Sequence, residues 1–396
     1  MHRRSPSAGL SAVTLLAALP LVSTMATAQD VLVRAHTIVV APDTVLTDGA
    51  FLVRQGKVAY VGNDIPAEAR TGATVVDYGS ATIVPGFVLP PSTLGRDRDL
   101  AEGALAFTPD LKAAEAFDPW QEELGKLPAH GVTSVLLSPS LRNVAGGIGA
   151  LVKPGKESGS LVAADLHLQL SLTATARNPE RQPTSLMGAV DLLRTAFTIA
   201  RTGTAMGPDA AVMRQVLQGS RRIVIGADSY TELMAALDLA KEFAFEPVLL
   251  GARDADKALA RIVAQKAAVV LGPLQPELRL TQLQLPTRLA EAGVPFCCVG
   301  SAEQLRHSAV LAVRFGLDRK TALAMLTRNP AAMIDQTAAI GSLRQGCAGD
   351  FVVFTGDPLD LGSALVATWI DGVRVHGAEP NRQPTNTPAT AAAGER

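Results

Sequence analysis

Ile83-Val84-Pro85-Gly86-Phe87-Val88-Leu89-Pro90-Pro91-Ser92-Thr93-Leu94-Gly95 separates two parts of the chain that are patterned differently. Upstream, from Val31 to about Val84, short alternating runs are broken by turn signals: VLVRAHTIVV, then Thr47-Asp48-Gly49, then FLVRQGKVAYVG with Gln55-Gly56 at a hairpin tip, then ATVVDYGSATIV. Such spacing predicts an antiparallel β module. Downstream, strand-length apolar runs recur with helical patterns between them: TSVLLSP, LVAADLHLQLSL, RRIVIGAD, EPVLLGA, AAVVLGP and VPFCCVG, with helical stretches such as Ser229 to Phe243 and Asp318 to Thr327. Strand then helix, repeated, predicts a parallel sheet or a (β/α) barrel. About seven such strands can be counted, the opening one included, so closure at eight is inferred and not seen.

Near the C-terminus the first pattern returns. Asp350 to Phe354 and Val366 to Val375 alternate again, turning at Asp371-Gly372. The expected organisation is therefore a composite β domain made of residues 29–84 and 341–377, with residues 85–340 inserted between them as the barrel. Residues 378–396 are rich in Pro, Thr and Ala without periodicity and are expected to form a disordered tail.

Composition narrows the function classes. The 396 residues carry 36 Lys and Arg against 37 Asp and Glu, so no basic surface advertises nucleic acid. Hydrophobic residues make up 47% and aromatics 4%, a balance suited to a parallel core of small branched side chains. His2-Arg3-Arg4, the apolar run Gly9 to Val22 and the small residues Ala26-Thr27-Ala28 read as a secretory signal peptide over residues 1–28. A membrane anchor is the competing reading, but the run is shorter than the roughly 20 residues that span a bilayer, and Pro20 interrupts it. The expected product is periplasmic or extracellular, without membrane attachment after cleavage. Cys297, Cys298 and Cys347 have no disulfide or metal-finger spacing, and the first two read as buried hydrophobes in a strand.

Several motifs together resemble the amidohydrolase superfamily, and within it the imidazolonepropionase-like branch. They are Asp48-Gly49 with Gln55 to Gly62, Ile83-Val84-Pro85-Gly86, Gly131 to Val135, Asn143 to Gly149, Thr327 to Ala331, Ile340 to Gly346 and Gly349 to Val353. The resemblance implies a (β/α)8-type metal-dependent hydrolase barrel, complete or incomplete, with a split β-sandwich domain. It also implies a divalent metal, zinc or another, held at the C-terminal mouth of the barrel. The first ligands of active members are two histidines one residue apart on the first strand, where residues i and i+2 face one way. This chain has Pro91 and Thr93 there. The bridging lysine would fall at Leu172 or Ser171, and the later histidines within Ile223 to Asp228 and near Leu250-Gly251. The late aspartate would fall near Ser301, with Glu303 displaced. The vestigial ligand positions are thus Pro91, Thr93, Gly226, Asp228, Gly251 and Ser301, and no metal or other cofactor is expected.

Other candidates arise from the residues themselves. In Asp165-Leu166-His167-Leu168-Gln169-Leu170-Ser171 the polar residues alternate with leucines, so Asp165, His167, Gln169 and Ser171 share one strand face and with Asp228 outline a candidate pocket. Barrel filling and a solvated edge are the competing readings of that face. Asp228 also suits a cap for the helix that follows. His36, His130, His307 and His376 read as surface or capping residues. Gly155-Lys156-Glu157-Ser158 lacks the hydroxyl that should follow a phosphate-loop lysine. Two functional expectations follow. One is a catalytically degenerate member acting as a small-molecule binding protein or as partner subunit of an active homologue, with self-association open. The other is an active hydrolase of C–N bonds, as in cyclic amides, with a relocated or absent metal.

Overall fold

A computed structural model describes residues 30–204, 206–377 and the strand 381–383. The expected signal peptide lies outside the described residues, as does the tail apart from that strand. The N-terminal part forms β1 (Val31–Ala41), β2 (Thr44–Arg54), β3 (Lys57–Gly62), β4 (Thr74–Asp77) and β5 (Thr82–Pro85). The chain continues through β6 (Phe87–Ser92), β7 (Val132–Leu137), β8 (Ala145–Ile148), β9 (Ala150–Lys153), β10 (Ser160–Ala163) and β11 (Leu168–Ser171). Next come β12 (Ile223–Ala227), β13 (Pro247–Gly251), β14 (Ala268–Leu271) and β15 (Phe296–Cys298). It returns in β16 (Phe351–Phe354), β17 (Leu365–Ile370), β18 (Val373–Gly377) and β19 (Asn381–Gln383).

Strands from both ends share one nine-stranded sheet, ordered β18-β17-β16-β5-β1-β2-β3, with β4 paired to β1 and β19 to β4. The junction is β16 against β5, where Phe351 faces Pro85 and Val353 faces Ile83. In its core Phe51 meets Phe351 edge to face, with ring centroids 5.0 Å apart, and Phe351 stacks on Trp369 at 5.3 Å. The pairing of β19 with β4 places an ordered strand inside the stretch expected to be a disordered tail. Alternation was too short there to register as a strand, and its order comes from the exposed edge of β4.

The inserted part holds seven parallel barrel strands among the described residues: β6 and β7 in one sheet, β11 to β15 in the other. A single extended excursion joins the two sheets. Its first half, β8, runs antiparallel to β11, and its second half, β9, runs antiparallel to β7, with Gly149 at the changeover. Among the described residues no ladder joins β15 to β6. The helices Arg319–Leu326 and Arg328–Met333 pack there instead, and Asn329 Nδ2 donates to the Phe296 carbonyl at 2.8 Å. The sequence left open whether eight strands close the barrel; on that side helices pack in place of a ladder.

Local chemistry explains why the opening stretch takes this course. A Cβ at Gly86 would overlap the Thr133 side chain, so only glycine lets β6 come this close to β7. Leu94 and Gly95, at φ 52° and 78°, make the left-handed turn that carries the chain away from the strand end. Leu89, Val135, Leu170, Ile225, Leu249, Val270 and Phe296 fill one continuous core with the surrounding helices. Cys297 and Cys298 belong to it as free, buried thiols, and burial pushes the Cys298 thiol up to about 12.

Candidate functional site at the barrel mouth

The C-terminal ends of the barrel strands surround a cavity of about 620 Å³, the place where such barrels collect their functional side chains. Its walls include Pro91, Thr93, Ser138, Arg142, Gln169, Leu250, Gly251 and Val299. Most of these residues directly end or follow a strand, so the parallel topology brings together positions far apart in sequence. A second cavity, of about 850 Å³, adjoins it and shares Arg142 and Thr175 with its wall; Arg98, Arg177 and Arg181 also line it.

The residues at the family's ligand positions do other work here. Pro91 is buried and Thr93 half-buried on the cavity wall. Gly226 is backed by Leu141, whose side chain occupies the space a larger residue would need. Gly251 lines the cavity in a left-handed conformation, φ 98°. Leu172 is buried in the core, and the Ser171 hydroxyl bonds Thr173 Oγ1 at 2.8 Å. Ser301 caps the helix Ala302–Arg314 by accepting from Gln304 N, and Glu303 is exposed in its first turn. Asp228 accepts from Arg253 N at 3.2 Å and pairs with the Arg253 guanidinium. It does not cap the helix Tyr230–Phe243. Glu232 reaches back instead to Asp228 N and Ser229 N, both at 3.0 Å, and pairs with Arg177 at 2.6 Å. Among the described residues no three His, Cys, Asp or Glu side chains gather within reach of one ion. Proline, glycine and a capping serine are not a donor set for a divalent metal. The residues at these positions do not fit the family's metal.

The alternating face of β11 is divided among several environments. Only Gln169 lines the mouth cavity. Asp165 is exposed and pairs with Arg221 at 2.6 Å and Lys112 at 3.4 Å. His167 is fully buried, its ring against Gly149, where any Cβ would overlap it. Its Nε2 lies 2.7 Å from Ser138 Oγ. Ser138 Oγ also donates to the Leu136 carbonyl at 3.3 Å, so the hydroxyl receives the Nε2 hydrogen of a neutral ring. Nδ1, which has no partner among the described residues, is then a bare lone pair, less costly to bury than an unpaired N–H. Burial, reinforced by the Arg221 charge, lowers the imidazole to about 4.

Asp97, Arg98, Ser138, Ser140 and Arg142 reach the cavity walls without having stood out in the sequence. The available signal was position: Ser138-Pro139-Ser140-Leu141-Arg142 directly follows the strand run TSVLL, where mouth residues must lie.

A barrel joined to a sandwich built from both chain ends is the architecture of amidohydrolase-type metal hydrolases, and comparison with known proteins agrees with it. The amidohydrolase family profile matches residues 301–376. Amidohydrolase tasK of Hapsidospora irregularis is 25% identical over 391 residues, covering 82% of this chain; the chain spans 39% of that protein's length. An amidohydrolase from Thermotoga maritima MSB8 superposes with a TM-score of 0.78 at 25% identity, covering 88% of this chain and 100% of that one. A β-aspartyl dipeptidase from Fervidobacterium islandicum AW-1 shares the fold, with a TM-score of 0.53, 12% identity, and coverage of 90% and 100%. In each of these comparisons the chain is similar to amidohydrolases.

Proposed function

We propose that this chain is an exported, catalytically degenerate amidohydrolase of the imidazolonepropionase-like branch that binds a small molecule at the barrel mouth. One observation carries the reading: the mouth keeps a cavity of about 620 Å³ while Pro91, Thr93, Gly226, Gly251 and Ser301 stand where metal ligands would be. A concave site outlasts the loss of its chemistry, because its shape comes from the scaffold and not from the ligand side chains. The export signal of residues 1–28 supports a periplasmic or extracellular setting. In that setting the protein acts alone or beside an active homologue as a partner subunit.

The test is metal analysis of the purified protein together with a fragment screen by ligand-observed NMR. Substoichiometric metal, and fragment binding that disappears in Leu250→Trp, which fills the mouth, are the expected results. A stoichiometric, tightly bound divalent metal lost together with amidase activity would overturn the reading. Co-expression with an intact homologue reads out the subunit role as co-purification.

One observation favours a second reading, an active C–N hydrolase that works without the family's metal. Ser138, on the cavity wall, sits at hydrogen-bonding distance from a neutral imidazole, and in the other tautomer His167 could accept its proton. Turnover of cyclic amides that is abolished by Ser138→Ala would establish it in place of the first.

A further inference from the structure

We propose that the mouth and the cavity beside it together bind an organic carboxylate with an apolar body, the carboxylate on Arg98 and Arg142 and the body against Leu250 and Val299. The inference rests on the binding reading above and names the ligand class of that site.

The charge in the second cavity is not self-cancelling. Four arginines line it, Arg98, Arg142, Arg177 and Arg181, with one carboxylate, Glu102. Arg177 is neutralised from behind by Glu232 at 2.6 Å. Arg181 is spent on structure: its guanidinium donates to the carbonyls of Glu102, Gly103, Leu105 and Arg142 and to Asn143 Oδ1, at 2.7 to 3.2 Å. It stitches the loops together yet keeps its charge, for none of those five acceptors is a carboxylate. Glu102 is held partly by its own loop, accepting from Ala104 N at 2.7 Å. Arg98 and Arg142 remain, both exposed and, among the described residues, without an acidic partner.

Two guanidiniums without acidic partners line the second cavity, Arg142 on the wall it shares with the mouth and Arg98 on the second cavity alone, and both are suited to a planar oxyanion, which each can grip with parallel N–H donors. The Arg181 charge behind them adds to the attraction. Asp97 on the mouth wall opposes it, but its Oδ1 already accepts from Ser140 Oγ at 3.2 Å. The apolar side of the mouth, Pro91, Leu141, Leu250 and Val299, favours a ligand with a hydrocarbon body over free inorganic phosphate.

The matched pair N-acetyl-L-leucine and N-acetyl-L-leucinamide separates charge from shape, with inorganic phosphate as the third probe. Calorimetric titration of the intact protein is expected to show the acid binding at least about tenfold more tightly than the amide. In Arg98→Ala and in Arg142→Ala that preference is expected to vanish while the thermal midpoint stays put, since both side chains are exposed. Arg142→Lys, which keeps the charge and loses the fork, is expected to fall between. Equal binding of acid and amide would overturn the carboxylate inference and leave the binding reading standing. Binding of phosphate as tight as that of the acid, or an acid preference that survives both alanine variants, would overturn it as well. If neither leucine derivative binds, the inference fails, and the fragment screen separately decides whether the cavity binds anything.

Discussion

Ser138 Oγ and His167 Nε2 are 2.7 Å apart although the residues stand 29 positions apart in sequence. The contact exists because β9 runs antiparallel to β7 while β8 runs antiparallel to β11, which brings the end of β7 level with the start of β11. Gly149, at the pivot, leaves room for the ring.

Stability should fall with acid through this histidine. Its folded value of about 4 lies below the ordinary 6.5, so between those two values the unfolded chain binds a proton that the folded chain refuses. The stabilisation is complete above about pH 6.5 and is lost as pH falls toward about 4, amounting to about 3 kcal/mol at most. Urea unfolding of the wild type and of His167→Gln at about pH 7 and about pH 4.5 measures it. The wild type should lose more stability across that interval than the variant, and equal losses would remove the histidine from the account.

Lys153 in β9 joins the barrel to the sandwich. Its ammonium lies 2.9 Å from Asp350 and 2.6 Å from Asp371, with only 3% of the lysine side chain and 6% of the Asp350 side chain exposed. Burial disfavours the ammonium charge, but the two carboxylates override it and hold Lys153 above its usual range. Lys153→Met would leave Asp350 buried and unpaired, at a cost of about 3–5 kcal/mol. Lys153→Met with Asp350→Leu should cost clearly less than the sum of the two single changes, as a double-mutant cycle in urea would show.

Glu232 is predicted to matter more for stability than Asp228, its neighbour at a vestigial ligand position. Glu232 is buried and serves two backbone N–H groups and Arg177, whereas Asp228 is half-exposed and pairs with an exposed arginine. Glu232→Ala should cost about 3 kcal/mol by orphaning those donors, while Asp228→Ala should cost below about 1 kcal/mol. Thermal unfolding followed by circular dichroism distinguishes them, and a larger loss for Asp228→Ala would contradict the assignment.

Much of the fold was legible because its signals are local. Turn chemistry at Gln55-Gly56, the change of period after Pro85-Gly86 and the returning strands after Asp350 are read within a few residues of each other, and the sheets follow them. Asp48-Gly49, read as a turn, lies instead inside β2 with Asp48 at φ 50°, and β1 pairs β4 and β5 in parallel, so the module is mixed and not purely antiparallel. Barrel closure was not legible. Whether β15 meets an eighth strand or a helix depends on how the helices from Arg319 to Met333 pack, and no local pattern encodes that contact.

The candidate site divides in the same way. Residue identity alone shows that Pro91, Thr93, Gly226 and Gly251 carry no metal donors equal to imidazole, and that follows from their side-chain chemistry wherever they lie. Strand alternation grouped Asp165, His167, Gln169 and Ser171 on one face, since side chains two apart point the same way. Only the tertiary structure sent these four to different environments, with Asp165 in solvent, His167 under Gly149, Gln169 on the cavity wall and Ser171 on Thr173. It also brought Arg98 and Arg142 to the wall of one cavity. A face is a property of one strand, whereas burial, partners and charge balance depend on which distant segments pack against it.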